Sequence, residues 1–182
     1  MEKGKDMVQV RICELVEKND LKIVSKPYVI KGKFIVQYVK GEWKYKVEKY
    51  KQETVDEDIP IDYTKNYNKY KNTYHILGAY IDEKCVGFAL VERESRTRYL
   101  YVKEVRTDAN YVNQGIGTKL LQYCFDFAIS SGYRGLYTVT IDNHIDSCNF
   151  YINNGFRIGG IDTEYHMGSK NEGKKDIIFY RG

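Results

Sequence analysis

Proline, tryptophan and long apolar runs are scarce in this chain of 182 residues, which has 2 prolines and 1 tryptophan. No stretch approaches the roughly 18 apolar residues typical of a membrane-spanning helix, so the sequence predicts no such segment. The first residues, M-E-K-G-K-D, contain no apolar signal core, and secretion is not expected. The 4 cysteines lack C-x-x-C spacing, and no metal site is predicted. We therefore expect a reduced, cytoplasmic protein with small buried thiols.

Basic charge is not concentrated anywhere, because the net charge is only +4 and no long block of lysine or arginine occurs. This balance does not indicate a nucleic-acid partner, and a membrane partner is not expected either. Tyrosine is present in excess, with 18 residues, and suits strands that bury one face. The length is typical of one domain, which we expect to span residues 1–182.

The most informative segment runs from Val105 to Thr118 and reads V-R-T-D-A-N-Y-V-N-Q-G-I-G-T. A strand is predicted before it over Tyr99–Arg106, and apolar residues spaced by three and four predict a helix after it. Gly115 and Gly117 lie where the chain turns into this helix, and glycine lets a backbone approach a ligand closely. Because the first N–H groups of a helix have no internal partner, the turn is a candidate site for pyrophosphate. On these glycines alone, a tight turn without a ligand explains the pattern equally well.

A second motif lies in the C-terminal half, where a predicted strand, Leu136–Ile141, precedes D-N-H-I-D-S-C-N-F-Y-I-N-N-G-F. Together the two motifs resemble the acetyl-CoA loop and the C-terminal motif of the GNAT superfamily of N-acetyltransferases. Within it, the sequence is most similar to the streptothricin (nourseothricin) acetyltransferases. They share the tyrosine-rich strand, the N-Q-G-I-G-like turn and the F-Y-x-N-x-G-F-x-I-G ending. The resemblance covers roughly Tyr74 to Arg157.

The resemblance implies a mixed α/β (α+β) fold, in which a mostly antiparallel central sheet is splayed at the cofactor site and flanked by helices. The expected core is residues 73–167, with acceptor-side strands and an acidic loop in residues 1–72. A strand–helix–strand link predicts that Leu136–Ile141 pairs in parallel with Arg98–Arg106. Val8–Val16 fits a strand or a short helix, and Lys22–Val24 indicates a brief strand. Periodicity predicts the other elements, over Phe34–Val39, Trp43–Lys49, Tyr74–Ile81, Cys85–Glu92, Gln114–Ser131, Ile145–Asn153, Phe156–Ile161 and Ile177–Arg181.

The resemblance also implies that acetyl-CoA binds as the co-substrate. Backbone N–H groups of the turn would hold the diphosphate, and strand main-chain groups would hold the pantetheine arm. Either residue of an Asn-His pair would contact that arm, and an ordinary helix N-terminus is the alternative for this pair. The implied residues are Val105, Arg106 and Thr107 on the strand, Val112, Asn113, Gln114, Gly115, Ile116, Gly117 and Thr118 in the turn, and Asn143 and His144. Val112 departs from the family pattern, which usually has Arg or Gln there, so a side chain that faces the phosphates is lost.

Two catalytic residues follow from the same resemblance. Tyr151 aligns with the general acid of the family, and a phenol with a pKa of about 10 can protonate a departing thiolate. Without the resemblance, a helix tyrosine that packs in the core is the simpler interpretation. The base is expected at Glu104, because the usual carboxylate position corresponds to Lys103, which cannot serve. An ordinary glutamate paired to a lysine on the sheet surface is the alternative for Glu104.

An acidic segment, Glu53–Asp62, reads E-T-V-D-E-D-I-P-I-D and carries no lysine or arginine. A solvated loop is the ordinary interpretation of such a run. The functional interpretation is an electronegative lip in which Asp56, Glu57 and Asp58 bind a polycationic substrate. The streptothricin enzymes, which the sequence resembles, also carry an acidic run near this place.

The leading hypothesis is an acetyltransferase that moves acetyl from acetyl-CoA to a primary amine of a small cationic acceptor of the streptothricin type, which implies antibiotic resistance by N-acetylation. One alternative is a protein N-terminal or lysine acetyltransferase. Another is an acyl-CoA-binding module with a decayed active site, which Lys103 and Val112 keep open. A homodimer is also left open.

Overall fold

The computed structural model describes residues 9–182, which divide into two units. Unit 1 comprises residues 9–26, 61–94 and 102–127, and unit 2 comprises residues 27–60, 95–101 and 128–182. Because the chain passes between the units several times, one strand and one helix contribute residues to both. Within residues 9–182, every helix is too short or too polar to cross a lipid bilayer.

The described strands and helices alternate along the chain in the order expected for a mixed fold. The strands are β1 (Val10–Glu14), β2 (Val29–Val39), β3 (Glu42–Val55), β4 (Tyr74–Ile81), β5 (Lys84–Glu92), β6 (Tyr99–Thr107), β7 (Gly135–Ile141), β8 (Arg157–Asp162) and β9 (Asp176–Arg181). The α-helices are α1 (Tyr67–Thr73), α2 (Ile116–Ser130) and α3 (Ile145–Asn153), and a short 3₁₀ helix covers Lys18–Lys22.

Unit 1 is built on an antiparallel ladder in the order β1, β4, β5 and the C-terminal part of β6. Its core cluster contains two phenyl or phenol rings and three aliphatic side chains, from Leu21, Tyr63, Ile76, Phe88 and Leu90. Tyrosines of α1 and of the start of β4 pack against this cluster. Tyr63 therefore belongs to the core of unit 1, although it lies before α1 in the sequence.

Unit 2 begins its sheet at the start of β6, where Tyr99–Tyr101 pair in parallel with residues 135–137 of β7. β7 and β8 each pair with β9 in antiparallel fashion. β2 and β3 form a hairpin whose turn residues, Lys40 and Gly41, have φ values of 51° and 86°, as a tight hairpin turn of this kind needs. One parallel pairing among antiparallel ones confirms the predicted mixed fold.

The predicted elements agree with the structure except at the N-terminal end. Lys22–Val24 was expected as a strand, and this is wrong, because Lys18–Lys22 is a 3₁₀ helix stabilised by a capping box between Glu17 and Asp20. β1 resolves the ambiguous segment in favour of a strand, while Val8 lies outside the described residues. The N-terminal part of the acidic segment, through Val55, extends β3 rather than forming a loop.

Burial makes three of the cysteine thiols unreactive. All four cysteines are free, and Cys85, Cys124 and Cys148 are buried. Burial raises the pKa of Cys85 to about 11 and those of Cys124 and Cys148 to about 12. These thiols stay protonated at neutral pH, so they pack as small apolar groups and are poor nucleophiles.

Candidate active site

The turn between β6 and α2 lies in unit 1 and is shaped by its own hydrogen bonds. The Asp108 carboxylate accepts the Asn110 N–H at 2.9 Å, and the Asp108 carbonyl accepts the Tyr111 N–H at 2.9 Å. Asn113 and Gly115 have φ values of 61° and 77°, in the left-handed region that asparagine and glycine tolerate best. The predicted motif therefore encodes a left-handed turn directly before the helix.

The start of α2 is anchored while the turn before it stays exposed. Ile116 is buried against β5, where a Cβ added to Gly87 would lie 2.9 Å from Ile116 Cγ2 and 3.0 Å from the Arg106 carbonyl oxygen. Glycine at position 87 therefore permits the helix to approach the strand this closely. Residues 113–115 are exposed, and the first N–H groups of α2 lack partners inside the helix. With the helix dipole, these groups can hold a diphosphate.

The strand before the turn is paired along one edge. Residues 105–107 of β6 pair with residues 87–89 of β5. The parallel ladder with β7 ends at Tyr101 and Tyr137. Among residues 9–182, strand pairing therefore uses a single edge of β6 from Val105 to Thr107. Main-chain groups on the other edge suit an extended ligand arm such as pantetheine.

Glu104 lies on β6 in unit 1, and 21% of its side chain is exposed. The Tyr63 hydroxyl donates to Glu104 Oε2 at 3.0 Å, and Arg106 Nη2 donates to the same oxygen at 3.2 Å. Arg106 also donates through Nη1 to the Ile61 carbonyl at 3.2 Å, and its guanidinium lies 5.1 Å from the centroid of the Phe88 ring. Glu104 is thus paired with an arginine and a tyrosine rather than with a surface lysine.

Lys103, the position that matches the usual base of the family, is skipped by the β5–β6 ladder. Leu90 pairs with Glu104, whereas the next residue, Val91, pairs with Val102. This is a β-bulge, a feature that re-aims side chains and is frequent next to active sites. Glu104 and Val102 therefore point to opposite faces of the sheet, although they are two residues apart.

The β7–α3 junction lies in unit 2 and contains a buried atom without a partner. Asn143 is 8% exposed, and its Oδ1 accepts no hydrogen bond from any residue between 9 and 182. Leaving such an oxygen unsatisfied costs about 1–3 kcal/mol, so it is typical of an atom that a ligand or water completes. Pantetheine carries amide N–H donors that can pair with such an oxygen, and the role of Asn143 stays a prediction.

His144 is held by the acidic segment within unit 2. Its Nε2 donates to Asp56 Oδ2 at 2.7 Å, and both side chains are nearly buried. The Tyr28 ring stacks on the imidazole with a centroid distance of 4.0 Å, and Lys174 Nζ lies 3.8 Å from the same Asp56 oxygen. Burial alone would raise the pKa of Asp56. The His144 hydrogen bond, the Asp58 N–H and the Lys174 charge outweigh burial and lower that pKa.

The neighbouring acidic residues differ in their pairing. Lys170 donates to Asp58 Oδ1, and Asn171 Nδ2 donates to Asp58 Oδ2 at 3.4 Å. The Lys170 hydrogen bond in particular lowers the pKa of Asp58. Glu57 is exposed. Two of the three predicted acceptor-binding carboxylates are therefore paired with lysines from the loop before β9.

Tyr151 lies on α3 in unit 2 and is 9% exposed. Its ring packs against Phe150, Phe156 and Phe179, at centroid distances of 5.3, 5.4 and 5.9 Å. Such packing restricts the ring and thereby the place of its hydroxyl group. Because both a general acid and a packing residue would show this environment, the acid role stays a prediction.

Sequence reasoning missed Tyr63 and the pairing of Asp56 with His144. Tyr63 lies in none of the predicted motifs, and its partner Glu104 is 41 residues away. Asp56 and His144 are 88 residues apart. The residue types were visible, but no local pattern connects such distant partners.

Comparisons with known proteins identify the family to which the chain belongs. The sequence profile of the acetyltransferase (GNAT) family matches residues 36–156. Streptothricin acetyltransferase A of Bacillus subtilis (strain 168) is 26% identical over 160 residues, which cover 86% of this chain and 89% of that protein. Streptothricin acetyltransferase of Escherichia coli is 29% identical over 86 residues, covering 47% of this chain and 48% of that protein.

Solved structures share the fold. A protein from Bacillus anthracis str. Ames, provisionally named a streptothricin acetyltransferase and crystallised with acetyl coenzyme A, superimposes with a TM-score of 0.77 at 23% identity, covering 96% of this chain and 98% of that one. Nourseothricin acetyltransferase gives a TM-score of 0.73 at 17% identity, covering 94% and 97%. The resemblance seen in the sequence is confirmed, and the chain belongs to the acetyltransferase (GNAT) family, whose members use acetyl-CoA.

Proposed function

We propose that this acetyltransferase moves the acetyl group of acetyl-CoA to a primary amine of a small cationic acceptor of the streptothricin class. The observation that carries the proposal is the Glu104 carboxylate, a partly exposed anion on the strand that leads into the acetyl-CoA turn. A cationic amine is attracted by such a group, and the amine must lose a proton to react. The acceptor class is supported by the Bacillus subtilis relative, which is similar over 86% of this chain.

The donor is held mainly by backbone groups in this proposal. The N–H groups at the start of α2 bind the diphosphate, and the main chain of Val105–Thr107 pairs with the pantetheine arm. Asn143 Oδ1 accepts an amide N–H of that arm. Val112 supplies no polar side chain, so the affinity rests on the turn geometry that Asn113 and Gly115 provide.

The ammonium nitrogen gives up two protons in the reaction, and the departing thiolate gains one. Glu104 accepts the first proton, directly or through water, and the free amine then attacks the thioester carbonyl carbon. The carbon–sulfur bond breaks, Tyr151 donates a proton to the CoA thiolate, and the second proton of the nitrogen is released to solvent as the amide forms. Acetylation would remove the positive charge of that amine, which is the basis for proposing antibiotic resistance as its biological effect.

The acidic segment contributes less charge to the acceptor in this proposal than the sequence suggested. Asp56 and Asp58 already interact with Lys174 and Lys170, so their negative charges are partly balanced. Glu57 is exposed and is the carboxylate of the three best suited to attract a polycation. We propose Asp56 and Asp58 as residues that order this segment around Glu57.

An acceptor panel tests the proposal directly. Release of free CoA from acetyl-CoA is measured with streptothricin, a polyamine, a peptide with a free N-terminus and a lysine-containing peptide. We expect streptothricin to give the highest kcat/KM. Acetylation of the peptides alone would favour a protein acetyltransferase. Binding of acetyl-CoA without turnover on any amine would favour an acyl-CoA-binding module.

A further inference from the structure

Tyr63 is a core residue of unit 1, and its buried hydroxyl contacts a proposed catalytic residue. The side chain is 1% exposed and packs with Leu21, Ile76, Phe88 and Leu90. A buried phenol needs a hydrogen-bond partner, and the structure provides Glu104 Oε2 at 3.0 Å. The Tyr63 hydroxyl therefore donates to Glu104, the carboxylate proposed to accept a proton in the acetyl-transfer reaction.

Arg106 donates to the same oxygen and fixes the geometry from a second side. Arg106 is 7% exposed. Its guanidinium donates to Glu104 Oε2 and to the Ile61 carbonyl, and lies 5.5 Å from the centroid of the Tyr63 ring. A planar guanidinium held at both ends cannot follow a moving carboxylate. Both hydrogen bonds end on Oε2 of Glu104.

We propose that Tyr63 is a positioning residue, which together with Arg106 holds Oε2 of Glu104 so that Oε1 is the oxygen presented to the acceptor amine. The inference rests on the proposed function of Glu104. It assigns two tasks to one carboxylate: Oε2 anchors it to the protein, and Oε1 accepts the proton of the amine. A carboxylate held in this way loses little orientational freedom when the substrate arrives, which favours the transition state.

The raised pKa of Tyr63 is consistent with this role. Burial, followed by the charge of Glu104 and the hydrogen bond to it, raises the pKa of Tyr63 well above its ordinary value. The phenol therefore keeps its proton at neutral pH and donates it in the hydrogen bond to Glu104.

The test uses Tyr63→Phe, which keeps the ring and removes only the hydroxyl. The matched control is Tyr70→Phe, because the Tyr70 ring contacts Tyr63 at 4.7 Å and is not bonded to Glu104. We expect Tyr63→Phe to lower kcat for the acceptor roughly 10- to 100-fold, the scale for a misplaced catalytic group, with an unchanged KM for acetyl-CoA. Tyr70→Phe should retain the wild-type kcat.

The same Tyr63 substitution in a Glu104→Gln variant distinguishes a positioning role of Tyr63 from a packing defect. If Tyr63 acts through Glu104, adding Tyr63→Phe to Glu104→Gln should change kcat less than about twofold, because residues that act as a unit are not additive. A packing defect would instead lower kcat by a similar factor in both backgrounds, and would overturn the proposal. An unchanged kcat for Tyr63→Phe in an active enzyme would overturn it while the proposed function stands. A wild-type protein that acetylates no amine in the panel would overturn both.

Discussion

The Asp56–His144 pair in unit 2 allows a quantitative prediction about stability. The two side chains are 6% and 10% exposed, and the hydrogen bond between them is 2.7 Å long. A hydrogen bond to a charged group contributes about 1.5–3 kcal/mol, and a buried partner left alone costs more than the bond itself. Lys174 remains beside Asp56 in a His144 variant, which reduces that cost. We therefore expect Asp56→Ala and His144→Ala to show a coupling energy of about 1.5–3 kcal/mol in a double-mutant cycle.

The assay is urea unfolding of the wild type, both single variants and the double variant, at neutral pH and with equal m values. The Lys31–Asp146 pair provides the control, because Asp146 lies on the same helix, α3, and the bond is 2.6 Å long, but the side chains are 37% and 66% exposed. Solvent screening should limit the coupling of this pair to at most about 1 kcal/mol.

The sign of the pH dependence follows from the direction of the Asp56 shift. Because its folded-state pKa is lowered, the pair stabilises the fold above the ordinary value of 3.8 and loses this contribution as pH falls through the lower folded-state pKa. The coupling should therefore decline in acid below 3.8. Single-variant effects that add to within about 0.5 kcal/mol at neutral pH would refute the reasoning.

Three further predictions concern the acetyl-CoA turn, the acid and a buried carboxylate. Gly115→Val should abolish the rise in Tm that acetyl-CoA causes, because valine does not tolerate the φ of 77° at this position. Gly168→Val is the control, because Gly168 has a φ of 69° but lies in the loop before β9, and this variant should keep the rise. Equal Tm shifts in both variants would contradict the assignment of the turn. Tyr151→Phe should lower kcat roughly 100-fold with unchanged acetyl-CoA affinity, and a wild-type kcat would leave it a packing residue. Burial raises the pKa of Asp142, so ionisation of this carboxyl destabilises the fold as pH rises above 3.8. Asp142→Asn should therefore raise Tm more at neutral pH than at pH of about 3. Equal gains in Tm at the two pH values would contradict this explanation.

Local patterns explain why most elements could be predicted from the sequence. Alternating apolar and charged residues indicated the strands of the β2–β3 hairpin. Gly132 and Gly155 follow the ends of α2 and α3, and both have a positive φ in the structure. Lys22–Val24 was misread because three residues carry too little periodicity to compete with the capping of the preceding 3₁₀ helix.

The candidate site could be predicted only where the residues that form it are consecutive in the sequence. The turn proposed to bind acetyl-CoA is such a segment, because its consecutive glycines and asparagine set the backbone whose N–H groups would hold the diphosphate. Contacts between distant residues were not accessible, because Asp58 pairs with a lysine 112 residues away and nothing in either segment selects the other. The acidic run was therefore interpreted by its charge alone, without the lysines that balance it.

The bulge at Lys103 sets which residues of β6 share a face of the sheet. Leu90 and Val91 are neighbours on β5 and point to opposite faces, so their partners Glu104 and Val102 also point to opposite faces, although they are two residues apart. Deleting Lys103 would make Val102 and Glu104 adjacent and would keep them on these opposite faces, because neighbouring residues in a regular strand alternate. Lys103 therefore adds one residue to the length of β6 without changing which residues of β5 pair with Glu104 and Val102.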